Sequence, residues 1–243
     1  MENSLILVHE SGRFLHVKDA SKDYHCQFGM IKRQDLAKVK KAGIVATNKG
    51  VSLNAFRPFF LDSYKKIKRA PQIIPLKDVG AIVAETGIGK ESVVVDSGTG
   101  SGALTIFLAN IAKKVISYEI RKDFAKIARA NIKEMGADNV VLKNKSIYDG
   151  IAEKNVDLIT LDLPEPWKVL EHAKKALKTG GFLVSYSPTI PQSADFISAA
   201  KGFIHIKTIE IIQREWEFNE RVIRPKSQPI GHSGFISVMR NVG

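Results

Sequence analysis

The chain has a single cysteine, Cys26, among 243 residues. One thiol closes no disulfide and builds no cysteine-based zinc site within one chain, so a reducing, cytoplasmic setting is expected. Long apolar runs are also missing. Met1-Glu2-Asn3-Ser4 is followed by only a short apolar stretch, so neither a signal peptide nor a membrane span is expected. No His, Cys and acidic residues recur at ligand spacing, which argues against a metal centre. No Ser-His-Asp set stands out as a nucleophile with its base. Repeats and low-complexity segments are lacking. Acidic charge is scarce: 25 Asp and Glu face 37 Lys and Arg, a net charge of +12 and a pI near 9.7. So basic a chain suits a polyanionic partner, RNA or DNA first, although surplus lysine also serves as plain solvated surface.

What the sequence does have is one organising stretch, Val93-Val94-Val95-Asp96-Ser97-Gly98-Thr99-Gly100-Ser101-Gly102-Ala103-Leu104. β-branched residues run into an acid, then into a loop with glycine at every second position, then into an apolar run with helical spacing from Ala103 to Ala112. This is strand, tight turn, helix. The following apolar run, Val115-Ile116-Ser117-Tyr118, ends in Glu119. An acid roughly 20 positions past a Gly-rich loop is placed to accept the hydroxyl hydrogens of a ribose. The glycines do not follow G-x-G-x-x-G, because the last arrives one residue early, and there is no Gly-Lys-Ser/Thr for a triphosphate. A nucleoside-cofactor site at the carboxyl ends of a parallel sheet is expected.

The remainder supplies the frame. From Ser92 onward strand and helix alternate: strands end at Asp96, Glu119 and Leu142, a fourth covers Val156 to Leu161, a fifth Phe182 to Ser187 after a break at Gly180-Gly181, and helices lie between them. That order predicts an α/β fold with a parallel sheet. Two last strands, Ile204 to Ile212 and Phe235 to Met239, separated by a long polar loop, predict an antiparallel pair on one edge. Before this region, Leu5 to about Phe60 shows short alternating runs broken by Ser11-Gly12 and Asn48-Lys49-Gly50, the pattern of a small antiparallel β domain. We therefore place domains at 1–62 and 63–243. A linker helix is expected from Pro58 to Arg69. Lys32 to Lys41, Lys65, Lys66, Lys68 and Arg69 are candidates for phosphate contact, as are Arg214, Arg221, Arg224 and Lys226, each with a solvated face as the plain alternative. His232, in Gly231-His232-Ser233-Gly234, either contacts RNA or a neighbouring subunit or steadies its turn. Trp167 and Trp216 could stack on bases.

Asp162-Leu163-Pro164-Glu165-Pro166-Trp167 follows the fourth strand, so it faces the same crevice as Gly98 and Glu119. Alternate glycines after an acidic strand end resemble the first motif of class I methyltransferases, which bind S-adenosylmethionine. Its sulfonium favours a nearby carboxylate such as Asp96 or Asp162. The wider set is more specific: Arg57-Pro58, Asp62-Ser63-Tyr64, Pro71-Gln72-Ile73, Lys77-Asp78, Asp162-Leu163-Pro164, Arg224-Pro225 and His232-Ser233-Gly234-Phe235. Over almost its whole length the chain resembles the archaeal-type tRNA (adenine-N1)-methyltransferases acting at position 58, or 57 and 58, of the T loop. The resemblance implies a Rossmann-like class I methyltransferase domain behind a small N-terminal β domain, S-adenosylmethionine as cofactor, tRNA as partner, and a homotetramer. It implies that Gly98, Thr99, Gly100, Ser101, Gly102 and Leu104 line the cofactor, that Glu119 binds its ribose, that Gln72 covers it, and that Ser146 and Ile147 complete its contacts. It implies that Asp162 holds the target adenine through its exocyclic amine, and that Lys68, Arg69, Arg224 and His232 meet the RNA.

Two positions depart from the family pattern. Ser146 stands where an acid usually contacts the cofactor's adenine, and Pro75-Leu76 replaces an aromatic or histidine followed by proline. They keep open a tRNA-binding subunit without catalysis, and because fold does not fix substrate a class I methyltransferase with a small-molecule or protein substrate stays open as well.

Overall fold

The computed structural model describes residues 3–69, 73–219, 221–228 and 231–243. The chain forms two compact units, one of residues up to Ile67 with Glu134–Gly136, the other of Lys68–Lys133 and Ala137–Gly243. The first unit thus includes Tyr64 and Ile67, both buried.

In the first unit, β1 (Leu5–Val8), β2 (Phe14–Val17), β5 (Ala42–Ala46) and β6 (Ser52–Phe56) form an antiparallel sheet in the order β2-β1-β6-β5. Leu5 pairs Val17, Leu7 pairs Ala55 and Val45 pairs Leu53. Period-two alternation thus sends these residues into one core. β3 (Tyr24–Cys26) and β4 (Gly29–Ile31) make a separate hairpin. The basic stretch after it contains a short helix, α1 (Arg33–Ala37), which buries Leu36 and leaves Lys32, Arg33, Lys38, Lys40 and Lys41 exposed. The linker helix is shorter than the sequence suggests: α2 covers only Phe60–Tyr64. Lys68 and Arg69 therefore lie beyond it in irregular chain, exposed.

The second unit has a seven-stranded sheet. After α3 (Leu76–Thr86) come β7 (Val93–Ser97), α4 (Ala103–Ala109), β8 (Lys114–Tyr118), α5 (Lys122–Met135) and β9 (Val140–Lys143). The chain then returns through β10 (Val156–Leu161), α6 (Leu170–Ala176), β11 (Leu177–Ser187), α7 (Ile190–Ala199), β12 (Phe203–Ile209) and β15 (Phe235–Asn241). The sheet order is β12-β15-β11-β10-β7-β8-β9. The pairs from β11 to β9 are parallel, and β15 is antiparallel to both neighbours. Consecutive apolar residues face opposite sides: Val95, Ile159 and Leu183 enter one core, Val94, Leu158 and Val184 the other. Burial on both faces explains why these strands read as unbroken apolar runs.

Three details differ from the sequence-based expectation. The antiparallel pair exists, but β15 lies inside, between β11 and β12, and only β12 forms the edge. The polar loop between them carries a further hairpin, β13 (Trp216–Asn219) with β14 (Val222–Pro225). Gly180-Gly181 does not break the fifth strand, which starts at Leu177 and crosses a register shift opposite Val156. A Cβ on Gly181 would lie 2.9 Å from Lys178 O and 3.1 Å from Val156 O, so the irregularity needs glycine. Among the described residues no helix is long and apolar enough to cross a membrane.

Candidate active site

The chain leaves β7 for β8 and β9 on one side and returns to β10 on the other. The carboxyl ends of β7 and β10 therefore form the switch-point crevice where such sheets bind ligands. Gly98 sits there with φ +84°, and a Cβ on it would lie 2.1 Å from Asp162 O. The Gly-rich turn and the acidic loop are thus packed backbone to backbone, and Asp162 N–H donates to Ser97 O at 2.9 Å. Gly100 and Gly102 also have positive φ, and α4 starts directly after them.

Glu119 is tied to this turn. Its Oε2 accepts from Gly100 N–H at 2.9 Å and its Oε1 from Arg121 N–H at 2.8 Å. The residue is 6% exposed, and each oxygen keeps acceptor capacity for a ribose hydroxyl. Thr99 turns inward, with Oγ1 2.6 Å from Ser117 Oγ and donating to Tyr118 O at 3.0 Å. Among the described residues the buried hydroxyls of Ser97 and Ser101 have no hydrogen-bond partner. A bare loop with two unsatisfied hydroxyls and a carboxylate, and with no cation, fits a nucleoside with a polar, phosphate-free tail.

The two acids proposed from the sequence have different roles. Asp96 is buried and collects three hydroxyls: Thr105 at 2.6 Å and Ser117 at 3.1 Å on Oδ2, and Thr160 at 2.7 Å on Oδ1. It is a structural anchor inside the sheet, not a partner for a ligand's charge, and burial raises its pKa in spite of these donors. Asp162, by contrast, lines an apolar pocket with Ile74, Ile82, Leu104, Thr160, Leu161, Val184 and Tyr186. Burial of its carboxyl, then repulsion from Asp96, push its pKa up to about 7. So poorly solvated a carboxylate would be stabilised by a cationic or amine-bearing partner.

One wall of that pocket rests on a network that the sequence did not announce. Tyr186 OH donates to Asp78 Oδ2 at 2.9 Å, and Ser233 Oγ donates to the same oxygen at 2.7 Å. Lys77 Nζ donates to Asp78 Oδ1 at 2.7 Å, to Ile211 O at 2.7 Å and to Ser233 Oγ at 2.5 Å. Asp78 is fully buried, so the lysine compensates its charge. Burial first, with the Asp78 carboxylate adding, raises the Tyr186 pKa and keeps the phenol a donor. Gly234 lies flat on the tyrosine, since a Cβ there would come within 2.4 Å of its Cζ. Lys77-Asp78 and Ser233-Gly234 carried the family resemblance without an assigned role; their signal was spacing alone, and Tyr186 gave none.

The remaining candidates fall in different places. Leu104 lines the pocket. Ser146 caps the turn at Ile147–Asp149, its hydroxyl accepting from Tyr148 N–H at 3.2 Å. Ile147 buries its side chain in the core, so only its backbone is free to meet a ligand. Gln72 lies outside the described residues. Lys68 is exposed with its backbone held by Asn131. Arg224 is exposed on β14 and pairs with Glu217 at 3.4 Å. His232 has both ring nitrogens engaged within the chain, which fits the turn-steadying alternative, while its side chain stays 46% exposed. Nδ1 lies 2.6 Å from Glu210 Oε1 and Nε2 2.9 Å from Pro188 O. Hydrogen bonding to Glu210, then to that carbonyl, raises its pKa. It steadies the turn that presents Ser233. Trp167 packs against the core. Among the described residues no His, Cys, Asp and Glu group could hold a metal.

Comparison with known proteins agrees with this geometry. The tRNA (adenine(57)-N(1)/adenine(58)-N(1))-methyltransferase TrmI of Methanocaldococcus jannaschii is 36% identical over 97% of this chain and 94% of its own length. A tRNA (adenine(58)-N(1))-methyltransferase TrmI of Thermus thermophilus is 34% identical over 89% of this chain and 88% of its own. The crystal structure of an SAM-dependent O-methyltransferase from Thermotoga maritima superposes with a TM-score of 0.87 at 27% identity, covering 100% of this chain and 94% of the other. The sequence profile of the family described as tRNA methyltransferase complex GCD14 subunit matches residues 65–235. The chain belongs to that tRNA methyltransferase family and has the class I, Rossmann-like methyltransferase fold.

Proposed function

We propose that the chain transfers a methyl group from S-adenosylmethionine to N1 of adenine 58 in the T loop of tRNA. Adenine 57 is the second target named for the Methanocaldococcus relative. The observation that carries the proposal is Asp162: a poorly solvated carboxylate in an apolar pocket, packed against the glycine turn that Glu119 braces.

The residues fit the cofactor. Glu119 would hold the ribose, the Gly98–Gly102 turn with Ser97 and Ser101 the methionine part, and Leu104 one face of the pocket. Bound there, S-adenosylmethionine supplies an electrophilic methyl group on a sulfonium. The chain's own task is placement. Adenine N1 carries a free lone pair in the neutral base, so no strong general base is needed. Asp162 accepts from the exocyclic amine, orients N1, and lies where the product base gains positive charge. A T-loop base must leave its stack to enter, so extrusion precedes transfer. Lys68, Arg69 and Arg224 are the exposed cations we assign to phosphate contact, alongside the basic surface of the first unit.

We extend the proposal to a homotetramer in the cytoplasm. What supports self-association is the hairpin β13–β14, where register puts Trp216 and Phe218 opposite Pro225 and Ile223 on one apolar face. Trp216 is 50%, Phe218 74% and Ile223 69% exposed, more than a lone monomer ordinarily leaves uncovered. A monomer in sedimentation equilibrium at micromolar concentration would remove this part.

Incubation with labelled S-adenosylmethionine and unmodified tRNA tests the reaction. Label should enter wild-type tRNA and be lost, or confined to position 57, when adenine 58 is replaced by guanosine. Undiminished label elsewhere would reject the assignment. Glu119→Ala should weaken cofactor affinity by at least about tenfold, since hydrogen bonds to a charged acceptor are worth about 1.5–3 kcal/mol. Calorimetry reads this directly, and unchanged affinity would take Glu119 out of the site.

A further inference from the structure

The segment that carries Asp162 has little regular structure to hold it. It leaves β10 at Leu161 and regains a turn only at Pro166–Val169. Pro164 and Pro166 contribute no N–H. Its fastening comes from other elements. Asp162 N–H reaches Ser97 O at 2.9 Å, and Glu165 N–H reaches the Tyr148 hydroxyl at 3.4 Å. The strongest hold is one side chain, Gln192. Its Nε2 donates to Leu163 O at 3.0 Å and to Pro164 O at 2.8 Å. Both hydrogens of one carboxamide are thus spent on the two carbonyls directly after Asp162. Gln192 is itself fixed, because it is the third residue of α7 and its N–H donates to the capping hydroxyl of Thr189 at 3.4 Å.

We infer that Gln192 is a positioning residue for Asp162, fastening the acidic loop to the first turn of α7 and so setting where the carboxylate stands in the pocket. The residue type is what the position demands. A carboxylate there would face two carbonyl oxygens with no proton to offer, and an apolar side chain would leave both acceptors without a donor. The consequence is geometric. Transfer needs acceptor, donor and orienting group in near-attack register, and a displacement of about 1 Å costs roughly 10²-fold in rate. A supporting shell that holds such a group therefore acts on turnover rather than on ligand affinity.

The test uses the full chain and two variants. Gln192→Glu keeps the shape and removes both donors; Gln192→Ala removes the shape as well. Steady-state kinetics with S-adenosylmethionine and tRNA should give kcat lowered about ten- to hundredfold in both, with KM for the cofactor within about twofold of wild type. Hydrogen exchange should show the amides of 162–169 opening at least about tenfold faster, with β8 unchanged and the melting temperature within a few degrees. Wild-type kcat and exchange in Gln192→Glu would overturn the inference, even if Gln192→Ala were impaired, because packing and not the two donors would then matter. The kinetic arm rests on the proposed methyl transfer; the exchange arm does not. If wild-type protein shows no transfer, that proposal falls and exchange alone decides: a faster loop sustains the role of Gln192, an unchanged one ends it.

Discussion

Replacing Asp162 with asparagine should slow methyl transfer about 10²–10³-fold and, at pH 8, raise the melting temperature. The two effects have one origin. Burial, then the charge of Asp96, lift the Asp162 pKa to about 7, against about 3.9 in an unfolded chain. The folded state therefore resists ionisation of this group. That resistance costs nothing below about pH 4, grows as pH rises toward 7, and is complete above it. A shift of about 3 units at 1.36 kcal/mol each sets an upper bound of about 4 kcal/mol at pH 8. At about 2–4 °C per kcal/mol for a chain of this size, Asp162→Asn should melt several degrees higher at pH 8, and the gain should shrink by pH 5. Activity moves the other way. Only the ionised carboxylate offsets the product's charge, and it is a stronger acceptor for the adenine amine than the protonated acid or an amide, so wild-type kcat/KM should rise about tenfold per pH unit below 7 and level off above. Asp162→Asn should lose about 10²–10³-fold in kcat, comparable to removing one preorganised electrostatic group elsewhere. Differential scanning at both pH values with matched kinetics checks the pair; a destabilised, active Asp162→Asn would contradict both halves.

Gly98→Ala should be the most damaging single-methyl change in the site. Its φ of +84° is strained for any side chain, and the added Cβ would lie 2.1 Å from Asp162 O, a backbone atom. That backbone cannot step aside freely, since Asp162 N–H is bonded to Ser97 O and Gln192 holds the next two carbonyls. The left-handed conformation alone costs about 1–2 kcal/mol, and overpacking adds about 1–3 more. Gly100→Ala is the control. Its φ is +55°, but its Cβ would meet nothing nearer than Gly98 O at 3.8 Å, so it should cost only the conformational part. Denaturant unfolding should rank Gly98→Ala below Gly100→Ala by at least about 1 kcal/mol, with cofactor binding lost in the former. Equal stability would mean that the glycine turn and the acidic loop are not in contact.

These positions show how far the sequence could be followed. The parallel strands were plain because two-sided burial writes unbroken runs such as Val93-Val94-Val95 and Leu158-Ile159-Thr160-Leu161. Glycine at alternate positions and Glu119 were readable because their chemistry is local in the chain. What escaped depends on distant partners. Tyr186 meets Asp78 across 108 positions, and Ser233 meets it across 155, so no window shows that these residues share a hydrogen-bond network. Asp96 passed for a ligand-facing acid because its three hydroxyl donors come from α4, β8 and β10. The sequence left His232 between an RNA contact and a turn-steadying role because its partners Glu210 and Pro188 O are remote in the chain. The hairpin at Trp216–Pro225 was missed because its strands are only four residues each, too short for their alternation to stand out in a long polar stretch.

The most direct test of the account is nuclease digestion and mass spectrometry of tRNA after incubation with S-adenosylmethionine and either the wild-type chain or Asp162→Asn. The account predicts 1-methyladenosine at position 58 with the wild type and, at matched early times, at least about a hundredfold less with the variant, although the variant remains folded. Methyl groups absent with the wild type, placed on other bases, or undiminished by Asp162→Asn would contradict it.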